Sequence, residues 1–215
     1  MPTLIDLSHP LRDGQPSFPG DPGLKIEAHA TVAAGGCNLT RITMGSHQGT
    51  HLDVPLHFFD DGPALDAVPL EAFYGPARLV DLAPGGALDP DTPITVEMLE
   101  ARADAFEPEA KVICRTGWDR QFGRPDFFEH FPWLTVEACR WIAGRRIGLL
   151  GMDTPTPGRD AAACHHALLQ KGTEIVIVEA LANLDRLPAR FTFIGFPLNL
   201  AGRDGSPVRA VAVVQ

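Results

Sequence analysis

The 215-residue chain reads as a single α/β domain, with a mixed, barrel-like β core and helices packed outside. Three observations predict this. Nine short apolar, β-branched runs outnumber three segments with a helical pattern. The 20 prolines and 21 glycines are spread through turns such as Phe18-Pro-Gly-Asp-Pro22 and Pro84-Gly-Gly86, and are not gathered into a linker. Hydrophobic residues make up 45% and charged residues 21%, a globular composition at a length that suits one core.

The strand-like runs, in order, are Leu4–Leu7, Leu24–Ala28, Leu39–Met44, Arg78–Leu82, Lys111–Arg115, Ile147–Met152, Glu174–Val178, Phe191–Phe196 and Val208–Val214. The helical segments carry polarity signals. Thr95–Phe106 follows Thr92-Pro93 and has Glu97 and Glu100 near its start. Thr135–Arg145 opens on a Thr cap, places Glu137 early and ends in Arg145-Arg146. Asp160–Lys171 has an Asp at the cap position and stops at Gly172. The Phe-rich stretch from Gln121 to Phe131 reads as a loop, either over a pocket, at an interface or simply packed on the surface.

Several function classes are disfavoured at this level. A formal net charge of -9 is unsuited to nucleic acid or an anionic membrane as the main partner. No window supplies the roughly 20 consecutive apolar residues of a membrane span. The start, Met1-Pro-Thr-Leu-Ile-Asp-Leu-Ser-His9, lacks the basic-then-apolar pattern of a signal peptide, so the expected location is cytoplasmic. Cys37, Cys114, Cys139 and Cys164 form no Cys-x-x-Cys pair and read as reduced thiols, with Cys164 a small buried helix residue.

The chemistry concentrates in His47-Gln-Gly-Thr-His-Leu-Asp-Val-Pro-Leu-His57. His47, His51, Asp53 and His57 all carry odd numbers, so an extended backbone would turn them to one side. Gly49 and Pro55 argue against a helix there. Imidazole plus carboxylate is the ligand set of catalytic zinc or manganese sites. One extended segment rarely closes a metal site alone. The second candidate region is Cys164-His165-His166, followed by Glu179 at the end of the apolar run Ile175–Val178. A carboxylate after such a run is costly to bury unless paired or bound to a cation. His9, His29 and His130 read as solvent-facing or hydrogen-bonded histidines.

The run His47 to Phe58 resembles the His-x-Gly-Thr-His-x-Asp-x-Pro-x-His-Phe signature of the cyclase-like metal hydrolases, which include bacterial kynurenine formamidases, isatin hydrolases and polyketide-cyclase-like proteins. Ile5-Asp-Leu-Ser-His-Pro10, Phe18-Pro-Gly-Asp21, Arg115-Thr-Gly-Trp118, Gly151-Met-Asp153, Glu179–Leu184 and Gly202–Arg209 resemble other family segments, in the family's order, so the resemblance spans residues 1–215 as one domain. It implies the swivelling β/β/α fold and a homodimer or homotetramer. It also implies metal ligation by His47, His51, Asp53, His165 and Glu179, with Asp53 able to bridge two ions, and His57 as proton donor and acceptor. One or two divalent ions are implied, zinc first and manganese as the alternative.

The implied reaction is hydrolysis of a small aryl formamide or cyclic amide. An ion-activated water attacks the carbonyl while a histidine whose pKa lies near working pH moves protons. The alternatives are an isatin-hydrolase-like lactam hydrolase, a polyketide-cyclase-like enzyme, or a non-catalytic metal-containing binding protein. Three departures from the kynurenine formamidase pattern stand out. Phe18, expected either to stack on a substrate ring or to pack on its Pro-rich turn, replaces a Trp. The Thr154–Asp160 loop is shorter. The spacing from His165 to Glu179 is two residues longer, which makes Glu174 a competitor for Glu179.

Overall fold

A computed structural model describes residues 1–215. The chain runs β1 (Thr3–Asp6), β2 (Lys25–Ala30), α1 (Val32–Gly35), β3 (Leu39–Thr43), β4 (His51–Asp53), β5 (Tyr74–Asp81), β6 (Pro93–Ile94), α2 (Val96–Glu100), β7 (Lys111–Arg115), β8 (Trp133–Leu134), α3 (Val136–Arg145), β9 (Leu149–Met152), α4 (Ala161–Leu169), β10 (Val176–Glu179), β11 (Arg190–Ile194), β12 (Gly205–Pro207) and β13 (Val211–Val214). Nine strands form one mixed sheet in the order β1-β13-β11-β5-β7-β9-β10-β4-β12. The central β5-β7-β9-β10 pairs are parallel and the flanking pairs antiparallel. This is the α/β domain with a curled mixed core that the sequence predicts.

Both faces of β7, β9 and β10 are buried, which explains their near-continuous apolar character. Alternation divides each strand between two cores. Val112, Cys114, Leu150 and Ile177 pack towards the helices with Leu99, Ile142 and Leu168. Ile113, Leu149, Val176 and Val178 pack on the opposite face with Leu7, Leu52 and Phe193. Thr135 caps α3 by accepting the Ala138 N–H at 3.1 Å, as its position predicts. No helix is long and apolar enough to cross a membrane.

One local expectation is corrected, and a second, the extended or looped histidine-rich run, is resolved into its parts. The predicted helix over Thr95–Phe106 is α2 alone, because Arg102 leaves helical geometry at φ -131 and a 3-10 turn follows at Ala103–Ala105. Burial of Ala105 and Phe106 in the helix-side core overrides local helix propensity there. The histidine-rich run is not one extended segment. Only His51 and Asp53 share a strand; His47 lies in a turn, Gly49 takes φ +65, and His57 ends a 3-10 turn over Pro55–His57. Proline at the first position of that turn presets its geometry.

Candidate metal centre

β4 and β10 pair antiparallel with His51 opposite Glu179, at the carboxyl end of the parallel strands. His51 Nε2 stands 3.4 Å from both Glu179 Oε2 and Asp53 Oδ1. α4 brings His165 over the same point, its Nε2 lying 3.3 Å from Glu179 Oε1 and 3.4 Å from Asp53 Oδ2. The Asp160 side chain accepts the Ala163 N–H at 3.1 Å and so fixes the first turn of α4. All four residues are buried.

The donor set fits a divalent cation. His51 donates its Nδ1–H to the Gly49 carbonyl at 2.8 Å, and His165 donates its Nδ1–H to the Ala161 carbonyl at 2.7 Å. Those bonds set the tautomers, so each Nε2 lone pair points into the cage. Asp53 Oδ2 is buried without a hydrogen-bond partner. His51 meets Asp53 Oδ1 and Glu179 Oε2, whereas His165 meets Asp53 Oδ2 and Glu179 Oε1, each at 3.3–3.4 Å, within the roughly 3.3–3.5 Å at which two ligands of one ion stand apart; ligand atoms of His51, Asp53 and Glu179 lie within 4.8 Å of one another, as do those of His47, Asp53 and His57. Burial alone would lower His51 and His165. The carboxylates outweigh it, raising His51 well above the ordinary imidazole range and His165 to about 10. A field that favours a proton on Nε2 favours a metal cation in its place.

His47 sits beside this cage with both ring nitrogens engaged. Nδ1 is 2.7 Å from Asp53 Oδ1 and Nε2 is 2.6 Å from Asp204 Oδ2. Burial opposes a charge on His47, but the two carboxylates push it up to about 9. His57 stacks on His47 with ring centroids 3.9 Å apart, and its Nδ1 lies 3.8 Å from Asp204 Oδ2. Burial, the largest influence on His57, lowers it below the ordinary imidazole value.

These groups floor a cavity of about 200 Å³. Phe18, Phe58, Phe122, Phe127, Phe128 and Pro155 supply apolar walls, and no Lys or Arg lines it. The Phe-rich loop is therefore pocket wall. It is anchored from beneath: Trp118 donates its indole N–H to the Phe127 carbonyl at 3.0 Å, and buried Asp153 accepts from the Thr116 hydroxyl at 2.6 Å and from the Gly117 N–H at 2.7 Å. Phe18 meets Phe128 edge to face at 5.8 Å. The Ser17 hydroxyl donates to buried Gln48 Oε1 at 2.5 Å, which ties the Phe18 turn to the histidine-rich run.

The sequence brings His47, His51, Asp53, His57, His165 and Glu179 to one place, and the structure puts all six there. Glu179, not Glu174, reaches the cage: Glu174 sits in the turn before β10 at φ +48. His166 is exposed on α4, and Cys164 is buried against the Leu134 carbonyl. Asp204 was not singled out from the sequence. Its signal is a carboxylate in Arg203-Asp204-Gly205, immediately before a strand, but nothing in the spacing says which partner that strand has.

A family model described as putative cyclase matches residues 5–159. The kynurenine formamidase of Bordetella petrii is 33% identical over 215 residues, covering 98% of each chain. Isatin hydrolase A from Ralstonia solanacearum superposes with a TM-score of 0.87 at 27% identity, over 100% of this chain and 92% of that one. A predicted metal-dependent hydrolase from Bacillus stearothermophilus superposes with a TM-score of 0.81 at 25% identity over 100% of both chains.

Proposed function

Because the chain belongs to the cyclase family of metal-dependent hydrolases, we propose that it hydrolyses the carbonyl C–N bond of a small aryl formamide or cyclic amide. The observation that carries this is the His51–Asp53–His165–Glu179 cage at the floor of an aromatic-walled cavity. A divalent ion held there supplies Lewis acidity towards a carbonyl and acidifies water.

The chain's own residues do the rest. The phenylalanine walls seat a planar ring and exclude solvent from the reacting carbonyl. His57, kept neutral near pH 7 by burial, takes a proton from the attacking water and returns it to the leaving nitrogen. Asp53 and Glu179 offset the ion's charge, and the Gly49 and Ala161 carbonyls keep both ligating imidazoles in the correct tautomer.

Zinc is the ion we propose, since two imidazoles and two carboxylates in a compact cage suit it. Four unpaired cysteines, three of them buried, support a reducing, cytoplasmic setting. Exposed Tyr74 and Phe196, stacked at 6.4 Å near exposed Leu198, support self-association as a homodimer or homotetramer. Residues 1–215 act as one functional unit in this reading, in keeping with the span of the B. petrii relative.

The lining favours a second, narrower reading. Without a Lys or Arg to pair a substrate carboxylate, an uncharged lactam suits the cavity better than a formylated amino acid. Turnover of N-formylkynurenine, a neutral formanilide and isatin by zinc-loaded and manganese-loaded protein tests both readings. Turnover of none of the three by metal-replete protein would overturn the hydrolase assignment.

A further inference from the structure

The cavity walls are largely apolar, and one polar wall residue has hydrogen-bonding capacity that the chain does not use. Gln48 is 3% exposed and lines the cavity between His47 and Gly49. Its Oε1 accepts the Ser17 hydroxyl at 2.5 Å. Its Nε2 reaches only the Pro16 carbonyl, at 3.4 Å, longer than an ordinary N–H···O bond. A carboxamide nitrogen carries two hydrogens, so one N–H of Gln48 has no acceptor in the chain. A buried donor left in that state costs free energy that a ligand atom can restore. Thr156, on the loop after β9, repeats the pattern: it is buried, lines the same cavity, and its hydroxyl has no partner.

The surroundings fix which way the amide faces. A backbone carbonyl can only accept, so the amide atom beside Pro16 is the nitrogen, and the oxygen is the atom that Ser17 meets. Both partners belong to the turn that carries Phe18. With those two bonds made, the cavity is the open side left for the remaining N–H. The donor is uncharged, and no Lys or Arg lines the cavity. It therefore suits a neutral oxygen, such as that of a ketone or an amide, better than a carboxylate.

We propose that Gln48 is a specificity-determining residue: its free amide N–H donates to a neutral oxygen acceptor that the substrate carries in addition to the scissile carbonyl. Ser17 is then a positioning residue, holding the carboxamide by its oxygen. The orientation of the substrate, scissile carbonyl towards the cage, rests on the hydrolase reading given above; the unused donor does not.

Isatin and oxindole are a matched pair of probes: both are aryl lactams, and oxindole lacks the second carbonyl. Calorimetry gives the dissociation constant of each with the zinc-loaded full chain carrying His57→Ala, in which the probe is not consumed. Isatin is expected to bind at least about 10-fold more tightly, the worth of one neutral hydrogen bond. Adding Gln48→Met keeps the length of the side chain and removes the amide. It is expected to bring the two probes within about 2-fold by weakening isatin alone, with zinc content unchanged. Gln48→Glu keeps an oxygen for Ser17 and loses both N–H groups; the same outcome is expected, and this variant decides if the Met protein fails to fold. An isatin preference retained in a folded variant overturns the proposal. Equal weakening of both probes, the mark of a packing role, also overturns it, as does a starting protein with no preference. A protein that shows the preference and its loss yet, with His57 restored, turns over none of the compounds above refutes the hydrolase reading and leaves Gln48 standing as the donor.

Discussion

His51 and Glu179 are register partners across β4 and β10, and their facing atoms, Nε2 and Oε2, stand 3.4 Å apart. The cage is thus built on a backbone hydrogen-bond ladder and not on flexible loops. Two carboxylates, Asp53 and Glu179, are buried at its centre, and burial of that kind demands a compensating cation.

Removing one cage carboxylate should therefore remove the metal. Glu179→Gln keeps the side-chain volume and the strand register but withdraws one charge. Zinc affinity is expected to fall at least about 100-fold, beyond the usual effect of altering an outer-shell partner. Competition with a chelator of known affinity measures this; an unchanged affinity would place the ion elsewhere.

His57→Ala should separate chemistry from binding. His57 lies outside the four-residue cage, so metal content is expected to stay at the wild-type level while kcat falls by about 10²–10⁴-fold. Full activity in a metal-loaded His57→Ala protein would end its assignment as the proton carrier.

Gly205→Ala tests how tightly the His47 ring is packed against β12. The added methyl meets the Leu52 carbonyl at 2.6 Å and the His47 ring at 2.8 Å, and backbone on one side cannot yield cheaply. A loss of about 1–3 kcal/mol in unfolding free energy is expected, together with most of the activity. A variant of wild-type stability would show that the ring can move.

The cavity walls predict a specificity effect. Phe18 is 36% exposed and touches the wall through Phe128, so its truncation leaves the fold intact. Phe18→Ala is expected to raise KM for an aryl substrate by about 5–10-fold, the worth of one aromatic contact, with little change in kcat. A KM unchanged for every aryl substrate would assign Phe18 to packing of its proline-rich turn.

His9 predicts a pH dependence of stability. Burial lowers it from 6.5 to about 4; its ring stacks on Phe122 at 3.8 Å and its Nε2 has no partner. The unfolded chain binds this proton more readily than the folded one. The contribution of neutral His9 is therefore complete above pH 6.5 and is lost as pH falls through about 4, up to about 3 kcal/mol in all. His9→Phe keeps the stack and removes the proton site. The stability difference between wild type and His9→Phe, followed by denaturant unfolding from pH 7 to pH 4, should move in favour of the variant. A constant difference would refute the shift.

Residue type and spacing along the chain determined the α/β class, the principal strands, the capped helix α3 and the candidates His47, His51, Asp53 and His57, since apolar periodicity and short-range spacing are local properties; His165 and Glu179 entered as ligand candidates through the family resemblance. The same reading took the His47–His57 run as an extended or looped cradle, and the structure divides it between the two. Alternation accounts only for His51 and Asp53; Gly49 at φ +65 and the Pro55 turn bring in the other two histidines.

What the tertiary structure alone decided is pairing. Glu179 prevails over Glu174 because the β10 register sets it opposite His51, fourteen residues after His165. Asp204 arrives from 157 residues beyond His47 because β12 pairs with β4. No sequence pattern reports which distant strand lies alongside a three-residue strand. That choice is made by the curl of the whole sheet around its two cores, and with it the set of side chains that meet at the pocket floor.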